Sequence, residues 1–171
     1  MIKVTRSAVF VLLPFFTANT LAQDSTSDTG EPGRTATCDD LVGSWELVPL
    51  NDASINEVDP WPLPFQWFLF TEDGHVKSMM TTEDREISAS GLEEVLSELG
   101  GESPTYRCDE PWLIIEYPEL PEQFELWGKN IFTRRAGLQN AEPFEVGDIV
   151  LTLADPVDRH MIYYRWLRRI Q

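Results

Sequence analysis

The sequence predicts a mainly β protein, an antiparallel up-and-down β-barrel of about eight strands with one mid-chain helix. Three observations lead to this fold class. Segments in which apolar and polar residues alternate recur along most of the chain, and most are joined by short connections. One helix-like stripe interrupts them, and the chain carries 6 Trp and 9 Phe residues. Because closing a meandering sheet removes its exposed edges, a barrel is the economical arrangement for a single small domain.

Turn signals separate the predicted strands. Asp73-Gly74 is a preferred hairpin turn, and Asp109-Glu110-Pro111 marks a second hairpin. Gly128 falls inside one segment, where it predicts a bend. The predicted strands are Val42–Leu50, Phe65–Thr71, His75–Thr82, Thr105–Cys108, Trp112–Tyr117, Phe124–Trp127 continued by Asn130–Arg134, Asp148–Leu153 and Met161–Arg169.

The predicted helix needs an apolar surface to cover. Its stripe is formed by Leu92, Val95, Leu96 and Leu99. Ser90 with Glu93 indicates a capping box, and Gly100-Gly101 indicates the end of the helix. The strand Phe65–Phe70 is apolar on both faces, so its outer face is one expected position for the helix. The open end of the barrel is the other.

The N-terminus is typical of an exported protein. Lys3 and Arg6 precede the apolar run Ala8–Phe16, which predicts a signal peptide over residues 1–22 with cleavage before Gln23. A retained membrane anchor is the alternative. Residues 23–37 offer one alanine as their only apolar side chain and predict a disordered leader. We therefore expect residues 38–171 to form one domain, periplasmic or secreted, that does not insert into a membrane after signal cleavage.

The net charge excludes several classes of partner. The predicted signal peptide holds two basic residues and no acidic one, which leaves 11 basic against 29 acidic residues and a formal charge near −18. Nucleic acid and anionic lipid surfaces require the opposite charge. A cationic partner fits this charge, and so does the simpler role of keeping an exported protein soluble and monomeric.

The chain has 2 cysteines, Cys38 and Cys108. In an oxidising compartment we expect them to form one disulfide, although two separate thiols are the alternative. No CxxC pair occurs, so thiol–disulfide exchange chemistry has no support in the sequence.

The segment Gly43-Ser44-Trp45 points to the end of the predicted barrel. On a strand, Gly43 and Trp45 face the same side, so the indole can plug the interior while the glycine leaves room beside it. An arginine of the last strand can then lie over the indole ring.

Together with the hairpin Phe70-Thr71-Glu72-Asp73-Gly74 and the late segment Gly147-Asp148-Ile149-Val150, this motif resembles the lipocalin-like (calycin) barrels. The resemblance implies a barrel that holds a small hydrophobic molecule. It makes Gly43 and Trp45 structural markers, with Arg168 as the first choice for the stacked arginine and Arg165 as the second. A small barrel can also fill its own interior with side chains.

The expected ligand is a small apolar or aromatic molecule, bound non-covalently. The candidate pocket residues are aromatic and are equally typical of a core: Trp67, Phe68, Phe70, Trp112, Trp127, Tyr164 and Trp166. Trp61, in the loop Asn51–Pro64, predicts either a lid or a contact on the barrel rim.

Catalytic and metal chemistry have little support in the sequence. We expect no catalytic residue, no cofactor and no metal site, and we interpret His75 and His160 as solvated turn residues. The alternative to ligand binding is an interaction module that contacts another envelope protein through the loops Asn51–Pro64 and Ala136–Gly147. An enzyme would need a cleft with converging polar groups.

Overall fold

The structure is a computed structural model that describes residues 31–49, 60–61, 63–120, 122–137 and 142–171. The predicted signal peptide and residues 23–30 of the predicted leader lie outside the described residues. So do residues 51–59 and 62 of one predicted contact loop and residues 138–141 of the other.

Nine strands and two helices occur in the described part of the chain. The eight predicted strands correspond to β2 to β9, and the long strand through Gly128 is continuous. The elements are β1 (Gly33–Thr35), α1 (Cys38–Leu41), β2 (Gly43–Leu47), β3 (Phe65–Phe70), β4 (Val76–Thr81), α2 (Ala89–Glu98), β5 (Thr105–Asp109), β6 (Trp112–Glu116), β7 (Phe124–Phe132), β8 (Ile149–Ala154) and β9 (Met161–Arg169).

The strands form one antiparallel sheet in the order β4-β3-β2-β9-β8-β7-β6-β5. From β2 to β9, strands consecutive in sequence lie next to each other except for β4 and β5, while β1 pairs with β7. Because β2 also pairs with β9, the sheet curls into a half-barrel, and the predicted fold class is confirmed. Its two edge strands meet at one bridge, His75 with Thr105. There Val76 N–H donates to the Pro104 carbonyl and Tyr106 N–H to the Gly74 carbonyl. We call the junction between β4 and β5 the seam.

Strand β3 is buried on both faces. Phe68 and Phe70 belong to the interior cluster with Trp45. Trp67 and Leu69 pack on the other side, against α2. The helix therefore covers the outer face of β3, which confirms the first of the two expected positions.

Two details of α2 differ from expectation. Its N-cap is Ser88, whose hydroxyl accepts from Gly91 N–H at 3.2 Å, so the predicted capping box at Ser90 is wrong. Leu92 and Leu96 are fully buried, whereas Val95 and Leu99 are 38% and 53% exposed. The apolar stripe is therefore narrower than the sequence suggests.

The folded part begins before Cys38, contrary to the predicted boundary. Gly33–Thr35 pair with β7, and the side chain of Ala36 is fully buried. The buried ammonium of Lys129 donates to the Ala36 carbonyl. Backbone pairing and this single methyl group thus hold the segment, which an argument from apolar side chains alone could not anticipate.

The sulfur atoms of Cys38 and Cys108 lie 2.08 Å apart, at disulfide distance. The pair joins α1 to β5 across 70 positions of sequence. It is compatible with an oxidising, exported location. Among the described residues, no helix combines the length and apolar character needed to cross a membrane.

Candidate ligand-binding cavity

One end of the half-barrel is closed by Trp45, which is fully buried and donates its indole N–H to the Leu41 carbonyl at 2.7 Å. The guanidinium carbon of Arg169 lies 4.3 Å from the centre of the indole ring. Gly43 makes this stack feasible. A Cβ on Gly43 would lie 2.3 Å from Nη1 of Arg169, and the backbone φ of +127° is one that L residues rarely adopt.

The prediction of Arg168 as the stacking arginine is wrong, and the second choice, Arg165, is wrong as well. Strand β9 alternates, so Arg165, Leu167 and Arg169 share the inner face, and register pairs Arg169 directly with Trp45. Arg168 faces outward, where it forms an ion pair with Asp148 at 2.8 Å.

A cavity of about 230 Å³ lies in the interior beside the seam. Its apolar lining includes Phe68, Phe70, Val76, Met80, Ile115 and Leu151, and its other lining residues include Trp61 and Arg165. Leu99 and the segment 100–104 after α2 lie at its outer side. Apolar walls with few polar groups are typical of small-molecule sites.

Trp61 lies inside this wall. Its ring centre is 5.8 Å from that of Trp127 and 5.6 Å from that of Tyr163. The buried amide of Gln66 donates to the carbonyls of Trp61, at 3.0 Å, and Leu63, at 2.9 Å. These bonds fix the loop backbone above the interior.

Arg165 is the charged group at the centre of the site. Its side chain is buried, with the residue only 5% exposed. Its guanidinium carbon lies 4.5 Å from the ring centre of Trp61, 4.6 Å from that of Phe68 and 4.8 Å from that of Trp127. Burial lowers the pKa of Arg165, but a guanidinium remains protonated at neutral pH.

A second polar group, the carboxylate of Glu125, lies along the same wall. It accepts from the Tyr117 hydroxyl at 2.5 Å and from the Trp127 indole N–H at 2.8 Å. Burial, and then the hydrogen bond from its hydroxyl to Glu125, raise the pKa of Tyr117 well above its ordinary value. Glu125 is thereby engaged by two neutral donors.

The structure separates the predicted pocket residues into two groups. Phe68 and Phe70 line the cavity, and Trp127 stacks beside Arg165. The other predicted positions are corrected. Trp67 packs under α2, Trp112 lies in an outer cluster, and Tyr164 alternates with the inward residues of β9, as do Trp166 and Arg168.

The sequence analysis missed Arg165 as a cavity residue. The signal that could have identified it is its period-two spacing from Tyr163 and Leu167, which the structure buries at 3% and 0% exposure. An arginine in phase with buried apolar residues on a strand is expected to point inward.

Two other places bring ionisable side chains together. A hollow of about 260 Å³ beside β2 and β3 is lined by Glu46, Asp84, Glu142 and Arg168, and burial raises the pKa of Glu46. Asp155, Asp158 and His160 bring three potential metal ligands within 4.8 Å in the β8–β9 turn, but this cluster is mostly exposed and does not include His75.

No protein-family model, curated protein or solved structure matches the chain. The resemblance to the lipocalin-like barrels therefore stays a prediction.

Proposed function

We propose that this protein is an exported, lipocalin-like carrier that binds a small apolar or aromatic molecule non-covalently inside its half-barrel. The observation that carries the proposal is the interior cavity of about 230 Å³ with its aromatic and aliphatic wall. A dry apolar cavity of roughly 150 Å³ can hold benzene, so a ligand of roughly ten non-hydrogen atoms fits here.

The location proposed is the periplasm or the extracellular space. The signal-like N-terminus and the cysteine pair at disulfide distance support it. The interaction-module alternative depends on the loops Asn51–Pro64 and Ala136–Gly147, of which residues 51–59, 62 and 138–141 lie outside the described residues.

Binding is tested by titrating the purified mature protein with naphthalene and following tryptophan fluorescence. Trp61 lines the cavity and Trp127 stacks on it, so an aromatic ligand should change their emission in a saturable manner. Native mass spectrometry of the freshly purified protein should reveal any molecule that co-purifies.

A matched pair of variants locates the binding. Ser78 lines the cavity on β4, so Ser78→Phe should fill part of it and weaken naphthalene binding at least about tenfold, the equivalent of roughly 1.4 kcal/mol. Ser97 is exposed on α2 and does not line the cavity, so Ser97→Phe should bind like the parent. Absence of saturable binding, or an equal effect of both variants, would contradict the proposal.

A further inference from the structure

The planar guanidinium of Arg165 packs against aromatic rings, whereas two N–H donors on one of its edges lack hydrogen-bond acceptors among the described residues. Aromatic rings of Trp61, Phe68 and Trp127 lie within 4.8 Å of its carbon and interact with the charge. One hydrogen bond goes to the Tyr163 hydroxyl. Aromatic faces stabilise a cation but accept N–H hydrogen bonds poorly, so the remaining donors need another partner.

Two of these donors are Nε and Nη2. Both atoms are buried, and neither has an acceptor within the part of the chain that the structure describes. They lie on the same edge of the planar guanidinium, where their N–H bonds run parallel and match the two oxygens of a carboxylate. A buried donor pair without an acceptor is unfavourable and rare in folded proteins.

Glu125 does not occupy this edge. It lies along the same cavity and its charge is felt at Arg165, but its oxygens accept from Tyr117 and Trp127. Among the described residues, no ion pair joins Glu125 to Arg165. Glu125 therefore lies near Arg165 without accepting a hydrogen bond from Nε or Nη2.

The charges around the cavity favour a single negative charge on the ligand. The ionisable side chains of opposite sign that line it are balanced: Lys77 and Arg165 against Glu102 and Glu125. The ammonium of Lys77 reaches the Leu96 carbonyl at 3.4 Å on the outer side of the wall. A doubly charged phosphate would therefore meet one buried cation and one nearby carboxylate, which is a poorer match than a monoanion.

We propose that the ligand is a small monocarboxylic acid whose carboxylate binds side-on to Nε and Nη2 of Arg165. Its aromatic or aliphatic part then lies along Phe68, Phe70 and Ile115, toward the seam. This inference rests on the proposed function and adds the chemical class of the ligand. A carboxylate would also supply the hydrogen-bond acceptors that Nε and Nη2 of Arg165 lack in the described part of the chain and that an apolar ligand would not provide.

The test compares isosteric probes by isothermal titration calorimetry at neutral pH. Phenylacetate is paired with phenylacetamide, and octanoate with octanamide, each of roughly the ten non-hydrogen atoms that the cavity admits. Each carboxylate should bind at least about tenfold more tightly than its amide, because a charge-assisted bidentate pair replaces weaker neutral bonds. Inorganic phosphate should compete poorly with phenylacetate.

Variants assign the preference to one side chain. Arg165→Met keeps the length and removes the charge, so it should abolish the preference for the carboxylate while amide binding persists. Arg165→Lys keeps the charge and loses the fork, and should give an intermediate preference. Arg107→Met removes an exposed cation of β5 that does not line the cavity, and should leave the preference unchanged.

The outcomes separate the two proposals. Carboxylate and amide binding equally in the parent protein would overturn the carboxylate inference and leave the ligand-binding function standing. Preference that survives Arg165→Met, or phosphate that competes as well as a carboxylate, would overturn it too. No binding of any probe, together with no naphthalene uptake, would remove the proposed function itself. The parent comparison needs no variant, so it decides even if Arg165→Met does not fold.

Discussion

Among the described glycines outside β1, replacing Gly43 with alanine should destabilise the protein most. The new Cβ would stand 2.3 Å from Nη1 of Arg169, well inside contact distance. The guanidinium must move away, because the backbone around Gly43 is held by its pairing with Phe70. The backbone itself is also unsuited to alanine, with φ at +127°.

The magnitude follows from what is lost. Backbone strain of this kind costs about 1–3 kcal/mol. Displacing Arg169 loses its stack on Trp45, about 0.5–1 kcal/mol, and its bonds to the carbonyls of Val42 and Asp40, each about 0.5–1.5 kcal/mol. Together these losses amount to about 2.5–7 kcal/mol. For the folded part, residues 31–171, that lowers the Tm by about 8–20 °C.

The assay is thermal and urea unfolding followed by circular dichroism in non-reducing buffer. Two control variants separate the causes. Gly100→Ala meets nothing within 4 Å and should change little, whereas Gly101→Ala has φ at +109° but no close neighbour and should report backbone strain alone. In an Arg169→Ala background, Gly43→Ala should cost about 1–3 kcal/mol, leaving a coupling of at least about 1 kcal/mol.

Two results would refute this reasoning. Gly43→Ala as stable as Gly100→Ala would show that neither strain nor the close approach matters. Strict additivity between Gly43→Ala and Arg169→Ala would show that the glycine does not serve the arginine.

Three further predictions concern stability. Replacing both cysteines with serine should lower the free energy of unfolding by about 4 kcal/mol, because the disulfide restricts the unfolded chain. Urea unfolding measures this difference, and equal stability of the two proteins would contradict a stabilising disulfide. The hydrogen bond from Arg34 lowers the pKa of Asp40. The ionised Asp40 therefore stabilises the fold fully above the unfolded-state pKa of about 4, and this stabilisation is lost as the pH falls below that value. Asp40→Asn should flatten the acid side of a Tm–pH profile, and an unchanged slope would contradict this role of Asp40. Burial, and then the hydrogen bond to Glu125, raise the pKa of Tyr117. The neutral Tyr117 therefore stabilises the fold below about pH 10, and this stabilisation is lost as the pH rises further. Ultraviolet difference titration should show one fewer late-ionising tyrosine in Tyr117→Phe than in the parent, and identical titration curves would contradict this prediction.

Local pattern was sufficient for the strands and limited the position of α2 to two places. Phe65–Phe70 is apolar on both faces, and only one helix with an apolar stripe is available to cover the outer one. The structure places Leu92 and Leu96 there, against Trp67 and Leu69. Such predictions succeed because burial on two faces leaves few arrangements for a small domain.

Register was what the sequence could not supply. The last strand offers three arginines, and which one meets Trp45 depends on how β2 aligns with β9, a fact of pairing across 124 positions of sequence between Trp45 and Arg169. A shift of one residue exchanges the two faces of a strand. Arg165 differs, because its period-two spacing from Tyr163 and Leu167 already places it on the same face of β9 as these buried residues.

The segment around Ala36 escaped for another reason. Its stability comes from backbone pairing of Gly33–Thr35 with β7 and from a carbonyl that accepts from Lys129. Both contacts use backbone atoms, which the hydropathy of the side chains does not report. Residues 23–37, which carry no large apolar side chain, were therefore interpreted as a leader.

The seam has a consequence for how a solute exchanges between the interior and bulk water. Strand β8 shares six register pairs with β9, whereas β4 and β5 share the single bridge of His75 with Thr105. Local separation at that one place sacrifices two backbone hydrogen bonds, those of the Val76 and Tyr106 amides, and leaves every other ladder intact. Deuterium should therefore replace these two amide protons sooner than those of β8, and the rate of that widening sets an upper limit on how fast a molecule can leave by this route.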